Sequence, residues 1–426
     1  MNPLRHINVL AFPGTNCQIE TARALRKAGF ASEVLRWNDD LEKVVKSDGL
    51  VIAGGFSYED RGRSGMVAAN DPVGKTLVVM AQEGKPILGI CNGAQVLVEL
   101  GIVPGFHVGN VEMSLARNRR VDRNGEILGT GFYHDFVFLK PSTSPCAWTH
   151  FSGVLRLPIA HGEGRFLAEE HVQEAVCQGG QNVLMYCQEN GEEDAHFPIN
   201  PNGSMLNAAG ISNPEGNVLA MMPHPERAED GQKIFMSLHV FFEKSSPKKQ
   251  VSRPSLPPVS SFQKKPEFPI EIFVSLKITD TTEVTLQNTA RRVFSRPNLT
   301  LKRRIFWGIS VEGDALETAK KLIASEEFFN ENKEFALFHI EGKWYSVHEN
   351  TLVPTENPLL TGAVLSREND DLSGKEKSAV LQKHIKISAD VSFGVLWQFS
   401  EVVSEEEVAK SGLFGNPISW HLERVS

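Results

Sequence analysis

Residues 85–97, KPILGICNGAQVL, run from a strand-like apolar segment straight into a helix-like one, with Cys91 between Gly89 and Gly93 at the join. Glycines flanking a nucleophile-type residue in the form G-x-C-x-G mark a sharp strand-to-helix corner, where bulkier neighbours would clash. Such a corner holds the side chain out at a helix N-terminus, whose partial positive charge favours thiolate over thiol. A packed core cysteine also fits the pentapeptide taken alone.

Upstream, HINVLAF, the helix-like CQIETARALRKAGF, ASEVLRW and DGLVIAGG alternate strand and helix periodicity, followed by a helix around GKTLVVMAQEG. This βαβ order predicts a mostly parallel sheet with helices on both faces. Ligands of such sheets bind at the carboxyl ends of the strands, where Cys91 falls. From Val111 to about Leu184 the segments shorten, as in HDFVFL and GVLRLPIAHGEG. They read as an antiparallel extension of the same domain, which spans 1–243.

Residues 244–268, KSSPKKQVSRPSLPPVSSFQKKPEF, carry no apolar period and read as a linker. Beyond it, two stretches, 269–350 and 361–426, each run strand, helix, strand, helix, strand. They predict an internal duplication of a small α+β unit, an antiparallel sheet with helices on one face.

A chain of 426 residues is too long for one core. The net charge of −8 argues against a general nucleic-acid or anionic-membrane binder. No apolar run approaches the ~20 residues of a membrane helix. The five scattered cysteines contain no CxxC pair and fit free thiols in a cytoplasmic compartment.

A cysteine nucleophile needs a base and the base an orienting group. In NVLAMMPHPERAED, His224 and Glu226 stand two apart in a proline-fixed loop, so both project to one side. Glu226 can hold the tautomer of His224 while the other imidazole nitrogen faces Cys91. Attack on an amide also needs donors for the developing oxyanion. In LVIAGGFSYED a strand ends in Gly54-Gly55; the Gly55–Phe56 region and the N–H of Asn92 are the candidates. Gly74-Lys75-Thr76 lacks the earlier glycine of a phosphate loop and reads as a helix start. His107, His134, His150, His161, His171 and His196 show no metal-ligand spacing, so no metal site is expected.

FPGTNC, GGFSY, GICNGAQ, PIAHGEGRF and MMPHPER together resemble the glutaminase subunits of phosphoribosylformylglycinamidine synthase, which are class I (triad) glutamine amidotransferases of purine biosynthesis. The resemblance spans roughly residues 5–243. It implies a flavodoxin-like α/β domain with Cys91, His224 and Glu226 as the triad, and glutamine contacts from Gly54, Gly55, Phe56, Asn92 and Gln95. It also implies L-glutamine as substrate, no cofactor in this chain, and ammonia delivery to a large PurL-type synthetase subunit carrying ATP and magnesium. Two positions depart from the family's wording: Glu59 stands where glycine is usual, and Ala94 where an aromatic is common. The C-terminal repeats resemble, more loosely, the small PurS-type subunit of the same synthase; a fused pair would mimic a dimer of it. A cysteine hydrolase of similar fold and a non-catalytic scaffold are the competing readings.

Overall fold

The computed structural model describes residues 4–243, 254, 262–357 and 362–425. The chain divides into two units, residues 1–257 and 258–426.

The first unit opens with β1 (Ile7–Ala11), α1 (Gln18–Lys27), β2 (Val34–Arg36), α2 (Leu41–Val45), β3 (Gly49–Ile52), α3 (Met66–Ala69), α4 (Pro72–Gln82), β4 (Ile87–Ile90) and α5 (Asn92–Glu99). Every residue of β1, β3 and β4 is buried, as strands covered on both faces must be. Helix α4 starts at Pro72 rather than Gly74, because proline loses nothing at the first turn, where the N–H has no helical partner. A Cβ on Gly74 would lie 2.4 Å from the carbonyl oxygen of Ala69, so that glycine serves close packing.

The chain continues through β5 (Ser114–Arg117), β6 (Arg119–Val121), β7 (Ile127–Thr130), β8 (Tyr133–Pro141), β9 (Leu155–His161), β10 (Glu163–Leu167), α6 (Glu170–Gln178), β11 (Asn182–Cys187), β12 (Ala208–Ser212), β13 (Val218–Met221) and α7 (Gln232–Glu243). One nine-stranded sheet takes the order β2-β1-β3-β4-β13-β12-β11-β8-β9. Its first five strands pair in parallel and the rest antiparallel. With β13 as the fifth parallel strand this is the 2-1-3-4-5 order of flavodoxin-like sheets. The antiparallel extension is only partly one sheet: β8, β9 and β11 join it, whereas β5 pairs with β10 and β6 with β7 as separate ribbons.

Most of the stretch read as a linker lies outside the described residues. Its end needs correcting: β14 (Gln263–Lys264) pairs in parallel with the last strand of the second unit, and Phe268 packs against that unit's core. Polar composition hid a short edge strand there.

The second unit goes on through β15 (Ile270–Leu276), α8 (Thr281–Val293), β16 (Leu301–Val311), α9 (Ala315–Ser325), β17 (Glu334–Ile340), β18 (Lys343–His348), β19 (Thr351–Pro354), β20 (Ala363–Glu368), α10 (Leu372–Val380), β21 (Ala389–Phe399), α11 (Glu405–Ser411) and β22 (Trp420–Arg424). Its sheet order is β14-β22-β20-β21-β16-β15-β17-β18-β19. The halves β15–β17 and β20–β22 share one β-α-β-α-β order, and each lays its first strand between its other two. They are not two separate domains. β16 and β21 pair antiparallel along their full length, Leu301 opposite Phe399 and Val311 opposite Ala389. Either half alone would expose a long unpaired edge.

Helix α9 packs on the face carrying Ile270, Ile272 and Ile309. The opposite face carries Phe273, Phe306, Leu365 and Leu396. No helix among the described residues is long and apolar enough to cross a membrane.

Candidate active site

Three neighbouring parallel strands deliver the groups that sequence reading singled out. β3 leads through Ala53 to Gly54-Gly55, β4 runs directly into Cys91, and β13 leads through Met222-Pro223 to His224. Met221 lies opposite Ile90 in the parallel register, and Cys91 N–H donates to Met221 O at 2.8 Å. Strands far apart in sequence therefore end side by side, and the thiol and the imidazole leave the same edge.

Cys91 sits at φ 51°, ψ −106°, immediately before α5. Left-handed backbone at a non-glycine residue costs about 1–3 kcal/mol and persists only where its surroundings impose it. A Cβ on Gly89 would stand 2.4 Å from Gly93 O, and one on Gly93 2.1 Å from Ile52 O. Both flanking glycines are thus required by contact, as expected for an elbow.

His224 is 3% exposed. Its backbone N–H donates to Pro158 O at 2.9 Å, and its Nδ1–H donates to Glu226 Oε1 at 2.6 Å. That leaves Nε2 as the working nitrogen. Burial disfavours the imidazolium, but the charges of Cys91 and Glu226 and hydrogen bonding with Cys17 and Cys91 outweigh it. Its pKa is held well above that of an ordinary histidine. Thiol, imidazole and carboxylate form one connected chain, with Glu226 acting as the orienting group.

The proposed oxyanion donors need sorting. Phe56 N–H is already given to Gly14 O at 3.0 Å, so it is not available and that expectation is corrected. Gly54 does not line the cavity beside Cys91. Its missing Cβ would lie 2.9 Å from His224 Cε1, so glycine there makes room for the base. Gly55 lines the cavity, and Asn92 opens α5, where the first N–H groups have no helical acceptor. These two N–H groups are the remaining donors. The side chain of Asn92 is structural: Oδ1 accepts from Ser57 N–H at 2.9 Å and Nδ2 donates to Gln95 Oε1 at 2.9 Å. Gln95 Nε2 donates to Glu163 O at 2.6 Å, which ties α5 to β10.

Cys17, Glu226 and His224 place donor atoms within 4.8 Å of one another, a cluster of metal-ligand type that the spacing of histidines did not reveal. In this structure Cys17 Sγ accepts from Arg227 Nη2 at 3.0 Å, while His224 Nδ1 is engaged by Glu226.

Residues 5–246 match the family described as the CobB/CobQ-like glutamine amidotransferase domain. The chain belongs to this family. A protein of Methanothrix thermoacetophila named phosphoribosylformylglycinamidine synthase subunit PurQ is 47% identical over 228 residues, 52% of this chain and 86% of that relative. Proteins with the same name from Pyrococcus furiosus and Chlorobium chlorochromatii are 39% and 40% identical, each over 54% of this chain and 95% of the relative.

The amidotransferase domain carries an open cleft of about 270 Å³ beside the thiol, lined among others by Gly55, Phe56, Asp60, Cys91, His161 and Glu163. Asp60, His161 and Glu163 were missed in the sequence. PIAHGEGRF stood out as a motif, but its histidine was weighed only as a metal ligand. β12, β11 and β8 separate β9 from β13 in the sheet order, yet Pro158 O meets His224 and Ala160 O lies 3.8 Å from Cys91 Sγ. Local sequence holds no signal for that return.

Proposed function

We propose that this chain is the glutaminase component of phosphoribosylformylglycinamidine synthase in purine biosynthesis. Cys91 attacks the side-chain carboxamide carbon of L-glutamine. His224 accepts the thiol proton and passes it to the departing ammonia. Water then cleaves the thioester, releasing glutamate and regenerating the thiol. Gly55 and Asn92 N–H groups stabilise the oxyanion of each tetrahedral intermediate, and Glu226 fixes the tautomer of His224. The observation that carries this reading is the strained Cys91 corner meeting His224 and Glu226 at one sheet edge, inside a domain of the glutamine amidotransferase family.

The relatives are named as subunits, which supports a separate PurL-type synthetase as the consumer of ammonia, in the cytoplasm. On this reading ATP and magnesium act on that partner and this chain needs no cofactor. The second unit, two β-α-β-α-β halves joined through β16 and β21, reads as a fused pair of PurS-type small subunits.

The test is Cys91→Ala in the complex reconstituted with the large synthetase subunit. Glutamine-dependent amidine synthesis falls by about 10⁴-fold or more, while synthesis from added ammonia is kept. Survival of glutamine-dependent synthesis would overturn the assignment.

A further inference from the structure

The imidazole that serves Cys91 belongs to a second set of donor atoms. Cys17, His224 and Glu226 each place one metal-ligand atom within 4.8 Å of the other two. Zinc takes thiolate sulfur, imidazole nitrogen and carboxylate oxygen at about 2.0–2.3 Å, so donors around it stand about 3.3–3.8 Å apart. The set closes on such an ion with shifts of at most about 1.5 Å. Backbone contacts hold the members in place. Cys17 N–H donates to Gly54 O at 3.2 Å. A Cβ on Gly54 would stand 2.9 Å from His224 Cε1 and 3.4 Å from Cys17 Sγ, so ring and thiol meet across that glycine.

Two further observations point to a positive guest. The Glu226 side chain is fully buried, and its Oε2 has no hydrogen-bond partner among the described residues. A buried carboxylate oxygen with nothing to bond is costly unless a cation takes it. A cation is already drawn to the spot. Arg227 puts Nη2 3.0 Å from Cys17 Sγ and Nε 3.8 Å from Glu226 Oε1. Its side chain is 40% exposed, so it can swing into water and yield the place.

We propose that Cys17 Sγ, His224 Nδ1 and a carboxylate oxygen of Glu226 form an inhibitory site for a soft divalent cation of the zinc type, with water in the open position. Its consequence for turnover rests on the glutaminase reading. Binding releases two protons to solvent, one from the Cys17 thiol and one from His224 Nδ1. The ion takes the place of the hydrogen that Glu226 Oε1 accepts. His224 then keeps its remaining hydrogen on Nε2 and can no longer accept the proton of Cys91. None of the three ligands lines the cleft beside Cys91, so the ion lowers kcat and leaves KM for glutamine in place.

The test uses cobalt(II) on the full chain carrying Cys91→Ala, where the elbow thiol cannot bind. A thiolate-to-cobalt charge-transfer band appears in the near ultraviolet and is lost when Cys17→Ser is added. Glu226→Gln keeps the shape of its side chain and weakens cobalt binding about tenfold or more, which guards against a serine variant that fails to fold. In the complex with the large synthetase subunit, zinc suppresses glutamate release by the wild type. Cys17→Ser, read against its own metal-free rate, raises the half-inhibitory zinc concentration about 100-fold or more. Absence of the cobalt band, its survival without Cys17, or equal zinc sensitivity of wild type and Cys17→Ser overturns the site. A metal-free wild type that releases no glutamate overturns the glutaminase reading alone, because the cobalt band is read on a chain lacking Cys91.

Discussion

Around Cys91 the first unit holds four non-glycine residues at left-handed φ: Tyr58, Glu59, Asp60 and Cys91 itself. At the centre of the second unit, β16 and β21 run in unbroken antiparallel register over eleven residues each. The second unit has left-handed residues too, but Ser295, Glu326, Glu341, Glu349, Asn350 and Lys386 all fall between its elements, where they turn the chain. In the first unit Asp60 and Cys91 line the cavity, whereas Leu206 and Asn207, also left-handed, lead the chain into β12. Strain thus serves connection in both regions and reaches a cavity wall only in the first.

The largest effect expected from this contrast is on Glu226. Its side chain is fully buried and holds His224 Nδ1 at 2.6 Å. Glu226→Gln keeps the shape but removes the charge that favours the imidazolium, and it can present an N–H where an acceptor is needed. We expect kcat for glutamine to fall by about 10³–10⁴-fold with KM nearly unchanged, measured by steady-state ammonia release. A loss under about tenfold would mean that the base is oriented by something else.

The second unit is expected to respond in stability and not in chemistry. Phe306 is fully buried and packs against Phe268 and Phe273 with ring centroids 5.9 and 5.3 Å away. Phe306→Ala removes that contact from the middle strand pair and costs about 3–5 kcal/mol of unfolding free energy. Denaturant unfolding followed by intrinsic fluorescence reads the loss. Glutamine hydrolysis by the folded chain stays at its wild-type rate; a parallel drop in kcat would show that the first unit's site depends on the second unit's core.

The same contrast explains which features were legible in the sequence. The βαβ alternation and the two strand–helix repeats were readable, because their apolar periods are local and burial is obligatory. The elbow was readable because Gly89 and Gly93 are demanded by contacts with the elbow's own helix and an adjacent strand. The His224–Glu226 pair was readable because it lies within one proline-fixed loop. Asp60 was not, since its left-handed run includes Tyr58 and Glu59, residue types that give no hint of positive φ. Glu59 shows the point well: it sits at φ 57°, and nothing in a glutamate signals that conformation. His161 and Glu163 escaped notice because they reach Cys91 only through the antiparallel extension, whose return to the parallel edge is a long-range packing outcome. Phe56 was misassigned because no pattern shows that its N–H is spent on Gly14. The edge strand β14 was lost in a segment whose composition looks unstructured.

The smallest expected effect separates the strained cavity wall from the regular sheet by pH. Asp60 faces Glu163, Ser64 and Asn92, and burial first, then the charge of Glu163, pushes its carboxyl up to about 7. The folded chain therefore holds this proton more tightly than the unfolded chain does, so stability falls as pH rises from about 4 to 7 and levels off above. Glu163, also shifted upward by burial, acts with the same sign. Asp60→Asn removes one of the two ionising groups and makes the fall between pH 5 and 8 shallower, by about 1–2 kcal/mol. Denaturant unfolding at the two pH values reads the difference. An equally steep fall in Asp60→Asn would place the titrating group elsewhere on the molecule.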